Sequence, residues 1–395
     1  MTRRYPLRRY ITGTVAARTG DEMSGPALLL AGLAATGSAA TASSLLAGIM
    51  ISAAVGGPVF GVLLDRAARP GRLLAAALAV YASALVVILV CLGRVPAPAT
   101  VLIAVAAGLL GPALSGGWTS QLPRVASGGG LPRANALDAM TFNLASLMGP
   151  ALAGVIAGLA GAPAAVIASA ALICLALPSA WTLPPSRHAE RPPVPASLAA
   201  GVTAGFGAIT RSGPLARATA ASVISCVGQG VLIACSPLLG DRAFGSPGHG
   251  AALLSVVAAS ALAANAALSR RPRLLSPDAI IRSTPLVLAV ALALAATAQP
   301  IALVAAAVLA GLGEGPQLTA LFAIRHREAP DHLRGQIFTT GASLKITGYA
   351  VGAGVAGPLA TWSLPGALVF AAATQILATL CYARRRGTAG KERRP

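Results

Sequence analysis

The chain has 395 residues, of which 55% are hydrophobic and only 10% are Asp, Glu, Lys or Arg, with a formal charge of +19. A soluble domain carries roughly 25% charged residues, and a soluble protein this apolar could not cover its surface with polar groups. Aromatics are 4% of the chain and the basic residues stand in short clusters between apolar runs, so the charge does not describe a nucleic-acid surface.

Proline, glycine and arginine divide the chain into apolar runs of about 20 residues, the length of a membrane span. Six spans are expected near 11–36, 41–64, 73–93, 98–120, 135–160 and 163–183. Six more are expected near 214–239, 247–269, 283–299, 301–323, 336–360 and 363–383. The first run is interrupted by Arg18, Asp21 and Glu22 and lacks a small-residue cleavage site after a clean apolar stretch. It reads as a first membrane helix and not as a removed signal peptide. The expected fold is an all-α polytopic membrane protein of twelve helices. Residues 1–183 form an N-terminal six-helix bundle and 184–213 a cytoplasmic Pro-rich linker kept extended by its prolines. Residues 214–383 form a C-terminal six-helix bundle, and 384–395 a basic cytoplasmic tail.

The basic residues test this division independently. With a cytoplasmic N-terminus, 26 of the 30 lysines and arginines fall in inside segments, and only Arg94 and Arg242 fall outside. Arg18 and Lys345 lie within spans. That asymmetry places both termini in the cytoplasm under the positive-inside rule. The halves also echo each other. Gly111-Pro112, Leu131-Pro132-Arg133 and Gly149-Pro150 in the first have counterparts in Gly315-Pro316, Leu333-Arg334-Gly335 and Gly357-Pro358 in the second. Parallel six-span repeats are a feature of transporters.

The segment after the second span, with Gly61, Asp65, Arg66, Gly71 and Arg72, resembles the loop 2–3 signature of the major facilitator superfamily, Gly-x-x-x-Asp-(Arg/Lys)-x-Gly-(Arg/Lys). Gly61, Asp65 and Arg66 fall in register, and Gly71 and Arg72 arrive two residues late. Leu131 to Leu137, followed by Gly149, Pro150 and Gly154, is similar to the loop 4–5 and fifth span of efflux members, most of all the enterobactin-exporter and macrolide-efflux-like group. Glu328 to Gln336 is similar to that group's loop 10–11. The resemblance implies the major facilitator fold of two pseudo-symmetric six-helix bundles, with the loop 2–3 residues as a cytoplasmic gate and the first and fourth spans of each half lining a central cavity. Gly149, Pro150, Gly154, Gly357 and Pro358 are expected to shape helix packing, as is the pair Gly348 and Gly352.

Charges inside spans are costly unless they face a partner or water. Arg18, Asp21 and Glu22 are spaced by three and four residues, which puts both acids within reach of Arg18 on one helical face and leaves one net negative charge. Glu314 and Lys345, in adjacent spans at equal depth, are expected to form an ion pair. These five residues, with Asn143 and Gln229 as hydrogen-bonding groups, are the candidates for the substrate and proton pathway. Asp138 is expected near the interface as a partner of Arg133 or Arg124. His188, His249, His326 and His332 are expected in loops. The five cysteines are expected as buried structural thiols. No metal site, cofactor or catalytic residue is expected, and no phosphate-cradling loop is present.

The expected function is secondary active transport: proton-coupled efflux of a small organic molecule by alternating access, from a monomer spanning the plasma membrane, without nucleic-acid partners. An importer or uniporter of the same fold, a ligand sensor of that fold, and an intramembrane enzyme are the alternatives.

Overall fold

The computed structural model of the chain describes residues 5–126, 128–185, 197–246, 248–272 and 274–383. Among these the chain forms fourteen α-helices and no strand, as lipid requires of a chain that must satisfy its own backbone polar groups. The helices are α1 (Leu7–Thr36), α2 (Ala39–Arg66), α3 (Pro70–Cys91), α4 (Ala97–Gly108), α5 (Leu122–Val125), α6 (Leu131–Ala160) and α7 (Ala162–Trp181). They continue as α8 (Leu198–Arg211), α9 (Gly213–Phe244), α10 (Gly248–Arg270), α11 (Pro277–Ala295), α12 (Pro300–Glu328), α13 (Arg334–Trp362) and α14 (Leu364–Ala383).

Among the described residues, ten helical segments are long and apolar enough to cross a membrane. The other two expected spans, α1 and α13, have 30 and 29 residues. They are more polar because α1 carries Arg18, Asp21 and Glu22 midway and α13 carries Lys345 among Gly, Ser and Thr. Large apolar side chains face outward, among them Leu159, 85% exposed, and Ile301, 87% exposed; a lipid-facing surface accounts for them. Helix ends follow local chemistry. Pro70 opens α3, where its missing N–H costs nothing, and Gly37 and Gly245 close α1 and α9 in the left-handed region, at φ of 65° and 73°.

Several placements differ from expectation. The fourth span is not one regular helix: α4 stops at Gly108, and a π-helical segment (Ala113–Gly117) follows Pro112, which cannot donate to the turn before it. The second part of the expected extended linker is the helix α8, while residues 186–196, where its Pro-rich stretch falls, lie outside the described residues. His326 lies buried in the last turns of α12, and His249 in the first turn of α10, instead of in loops; His188 lies outside the described residues. Of the cysteines, Cys226 and Cys235 are buried, but Cys174 is exposed on α7.

By packing, the chain divides into two compact units. The first comprises Met1–Ala208 and Ala329–Ile346, the second Ile209–Glu328 and Thr347–Pro395. The division thus passes through α8 and α13. In the first unit α1 is central, burying Tyr10, Ala17, Met23 and Leu28 against α6 and α7. Small residues bring backbones together there: the Ser169 hydroxyl on α7 donates to the Gly20 carbonyl on α1 at 2.6 Å. In the second unit α9 and α13 meet at Gly348 and Gly352, where Cβ atoms would lie 2.7 Å from the Val223 oxygen and 2.0 Å from the Val227 oxygen. Such contact supplies the dispersion attraction that holds helices together in lipid.

Replacing Gly352 by Val should therefore force α9 and α13 apart and cost about 1–3 kcal/mol. Gly354→Val, where a Cβ would meet nothing within 4 Å, should change stability by no more than about 0.5 kcal/mol. Thermal unfolding of the detergent-solubilised protein measures both. Equal midpoints for the two variants would rule out close approach at Gly352 as the determinant of that packing.

Candidate functional site

A buried ion pair lies in the first unit. Arg18 on α1 is 2% exposed and Asp138 on α6 is 0% exposed, and they form an ion pair at 3.0 Å. The guanidinium also donates to the Asp138 carbonyl at 3.0 Å, to the Thr119 hydroxyl at 2.8 Å and to the Thr141 hydroxyl. Its face lies 3.6 Å from the Phe142 ring centroid. Asp138 accepts further from the Tyr10 hydroxyl at 3.0 Å and from Thr119 at 2.8 Å. The irregular end of the fourth span is what delivers Thr119 to this cluster.

This overturns two expectations. Asp138 does not pair with Arg133 or Arg124 at an interface, and Arg18 does not pair with Asp21 or Glu22. The guanidinium of Arg18 is instead taken up by Asp138 and Thr141 of α6 and by Thr119 after the fourth span. Those acids therefore stand without the cation that spacing assigned to them. Among the described residues neither forms an ion pair. Asp21 is half-buried, and the Tyr81 hydroxyl stands between its carboxyl group and the Ser24 hydroxyl, 3.0 Å from the latter. Glu22 is exposed although its neighbours Met23 and Ser24 are buried, and it hydrogen-bonds Ser146 on α6. Gly149 makes room for it, because a Cβ there would lie 2.7 Å from the Glu22 Cβ. Asn143 is half-buried on α6, one turn before Ser146. Two adjacent carboxylates hydrogen-bonded by hydroxyls and outside any ion pair among the described residues can accept a proton or a cationic group.

The loop 2–3 residues occupy one end of the same unit. Asp65 accepts from the Gly335 amide at 2.7 Å and the Gln336 amide at 2.8 Å, one on each carboxylate oxygen. It thereby caps the N-terminus of α13, where free amides and the helix dipole favour an anion. Gly61 permits the approach, since a Cβ on it would lie 2.4 Å from the Gln336 Cα. Arg66 donates to the Ser197 carbonyl at 2.8 Å. The late-arriving residues do something else: a Cβ on Gly71 would lie 2.4 Å from the Ala180 oxygen, and Arg72 stacks over Trp181 at 5.0 Å. They fasten α3 to the end of α7.

In the second unit Gln229 is part of a closed network. The Ser225 hydroxyl donates to Gln375 at 2.6 Å and accepts from Gln229 at 3.0 Å and Gln317 at 3.1 Å. Tyr349 donates to Gln229. Ser225, Gln317, Gln375 and Tyr349 escaped the sequence reading, because single polar residues in apolar spans carry no pattern. Glu314, half-buried on α12, belongs to the second unit, and Lys345, half-buried on α13, to the first. Of the expected packing residues, Gly149 packs against α1, whereas a Cβ on Gly154 or Gly357 would meet nothing within 4 Å, and Pro150 and Pro358 are exposed. Gly154 and Gly357 thus do not set helix contacts; both face outward. Among the described residues no group of three His, Cys, Asp or Glu could hold a metal ion.

Arg18→Ala would strand the Asp138 charge in a dry site, and should destabilise the protein by about 3–5 kcal/mol. The double variant Arg18→Met, Asp138→Leu removes both charges and should recover most of that loss. Unfolding midpoints of the two variants check this; a double variant no more stable than Arg18→Ala contradicts the assignment.

A search of curated proteins finds no significant match to this sequence. Solved structures similar to the chain include the human organic anion transporter MFSD10 (TETRAN), with a TM-score of 0.80 and 14% identity, covering 97% of this chain and 100% of that one. A bacterial homologue of the iron transporter ferroportin in its outward-facing state has a TM-score of 0.78 and 16% identity, covering 95% and 98%. The Escherichia coli fucose:proton symporter FucP has a TM-score of 0.75 and 13% identity, covering 96% and 99%. At these identities the likeness shows the fold. The family model described as Major Facilitator Superfamily matches residues 10–339, and the chain belongs to that superfamily.

Proposed function

We propose that the chain is a proton-coupled exporter of a small organic molecule, working as a monomer in the plasma membrane by alternating access, with its basic ends and both termini in the cytoplasm. The observation that carries this reading is the pair of unpaired carboxylates, Asp21 and Glu22, on the central helix of the first unit. Because Arg18 is committed to Asp138, the pair holds up to two negative charges with no ion-paired cation among the described residues. Such a pair is the acceptor that a coupling proton or a cationic substrate group needs, and lipid tolerates it only beside water or a partner.

Asn143 and Gln229 supply hydrogen-bonding groups, and Glu314 and Lys345 are the further charged candidates for the substrate and proton pathway. The fucose:proton symporter among the similar structures supports proton coupling. The likeness of Leu131 to Leu137 and of Glu328 to Gln336 to the enterobactin-exporter and macrolide-efflux-like group supports export. In this reading the Asp65 cap on α13 is the cytoplasmic gate, formed and broken once per cycle.

One proton driven by 100 mV supplies about 2.3 kcal/mol, enough for roughly a 50-fold concentration gradient of substrate. In reconstituted vesicles, an imposed proton gradient should drive flux in the native protein. Asp21→Asn and Glu22→Gln should each abolish the response to the gradient while the variants keep their native unfolding midpoints. Undiminished proton-driven flux in the triple variant Asp21→Asn, Glu22→Gln, Glu314→Gln would exclude these carboxylates as the coupling site.

A further inference from the structure

The residue Gln336 stands where three helices of the first unit converge, and it is used three times. Its backbone amide is one of the two that Asp65 accepts, at 2.8 Å. Its Cα lies against Gly61 of α2, closely enough that only a glycine fits there. Its side-chain amide donates to the Gly201 carbonyl at 2.7 Å and the Val202 carbonyl at 3.1 Å, both on α8. These two carbonyls lie within a helix, so the donor adds bonds to acceptors that already serve the helix through their other lone pair.

The sequence of α8 is suited to this contact. Gly201 and Gly205 are four residues apart and share one face. A Cβ on Gly201 would lie 2.8 Å from a Val62 methyl on α2, and one on Gly205 would lie 2.1 Å from the Gln336 carboxamide carbon. Both glycines are buried. The start of α8 is held as well: Arg66 donates to the Ser197 carbonyl at 2.8 Å, and the Ser197 hydroxyl accepts from the Ala200 amide at 3.1 Å. Thus Asp65 and Arg66, neighbours in sequence, hold α13 and the start of α8 respectively.

We propose that α8 is a strap that holds the Asp65 cap in place through Gln336. The helix lies at the end of the segment joining the two halves of the chain, so a shift of that segment is passed to the cap by the carboxamide. Lifting α8 removes two hydrogen bonds from Gln336 and frees its amide to leave Asp65. With α8 seated, the N-terminus of α13 is fixed from two sides. The inference concerns the mechanics of the cap and does not depend on what the protein carries or in which direction.

Two variants loosen the strap without touching Asp65. Gln336→Met keeps the backbone amide and the side-chain length but removes the donor, and Gly205→Leu fills the space the carboxamide occupies. Hydrogen–deuterium exchange of the full chain in lipid nanodiscs reads the cap directly, through the amides of Gly335 and Gln336. Losing the two neutral hydrogen bonds should accelerate exchange at these amides by about tenfold in each variant. Peptides from α1 and α6 serve as the record of the fold and should exchange as in the native protein. Native exchange rates at Gly335 and Gln336 in either variant would overturn the proposal, and so would acceleration spread equally over α1 and α6, which would mean general loosening of the unit.

Discussion

The first unit is organised around one ion pair that has no access to water. Removing a guanidinium and a carboxylate from solvent costs several kcal/mol per ion, and their attraction repays this only when the remaining donors and acceptors are also met. Here Tyr10, Thr119, Thr141 and the Asp138 carbonyl meet all of them but the Arg18 Nε, with Phe142 against the guanidinium. Satisfying that list fixes the depth of α1 beside α6 and demands that the chain after α4 turn so as to present Thr119. The break at Pro112 and the π-helical segment after it follow from the same demand. The pair also determines what is left over, because a cation committed to Asp138 cannot neutralise Asp21 or Glu22.

The backbone-to-backbone approaches are the second constraint. Lipid gives helices no hydrophobic reason to associate, so contact area and hydrogen bonds must do it. Glycine and serine at the crossing points allow both. Ser169 reaches the Gly20 carbonyl, and Gly61 lets α2 approach the start of α13. The second unit uses a neutral solution: Ser225, Gln229, Gln317 and Gln375 bond one another, so their polarity is spent within the network. Through this network Gln229 on α9 is linked to α12, α13 and α14.

Much of this was legible in the sequence. The spans could be placed because proline, glycine and arginine cluster at helix ends, where a missing donor, a left-handed residue or a positive charge is tolerated. Gly61, Asp65 and Arg66 could be singled out because they stand in fixed register on a local segment that resembles a family signature, but the α13 amides that Asp65 accepts lie at least 270 residues away. The Arg18–Asp138 pair was not legible, since its members are 120 residues apart and spacing can only nominate neighbours on the same helix. Spacing along α1 points to Asp21 and Glu22 for Arg18, but Asp138 and Thr141 of α6 and Thr119 claim the guanidinium from outside the helix. The helix α8 was hidden for another reason: it is short, rich in alanine and glycine, and preceded by prolines, and its order comes from contacts with α2 and α13 that lie far away in sequence.

Two of the acid sites of the first unit, Asp138 and Asp65, differ in a way that follows from their surroundings. Asp138 is wholly buried and charge-paired, so separating it from Arg18 would leave both ions stranded. Asp65 is half-exposed and bonded to two amides, and arginines at 124 and 334 are close enough to act on its charge. When that cap opens, water and the nearby arginines can receive the carboxylate, and the freed amides can hydrate. The cost of opening is then of the order of two charge-assisted hydrogen bonds less their hydration, far below the cost of unpairing Asp138. The strongest polar contact of the unit therefore belongs in its buried interior, and the weaker one at the more exposed end of a helix. The chain places Asp138 and Asp65 accordingly, and the carboxamide of Gln336 tunes only the second.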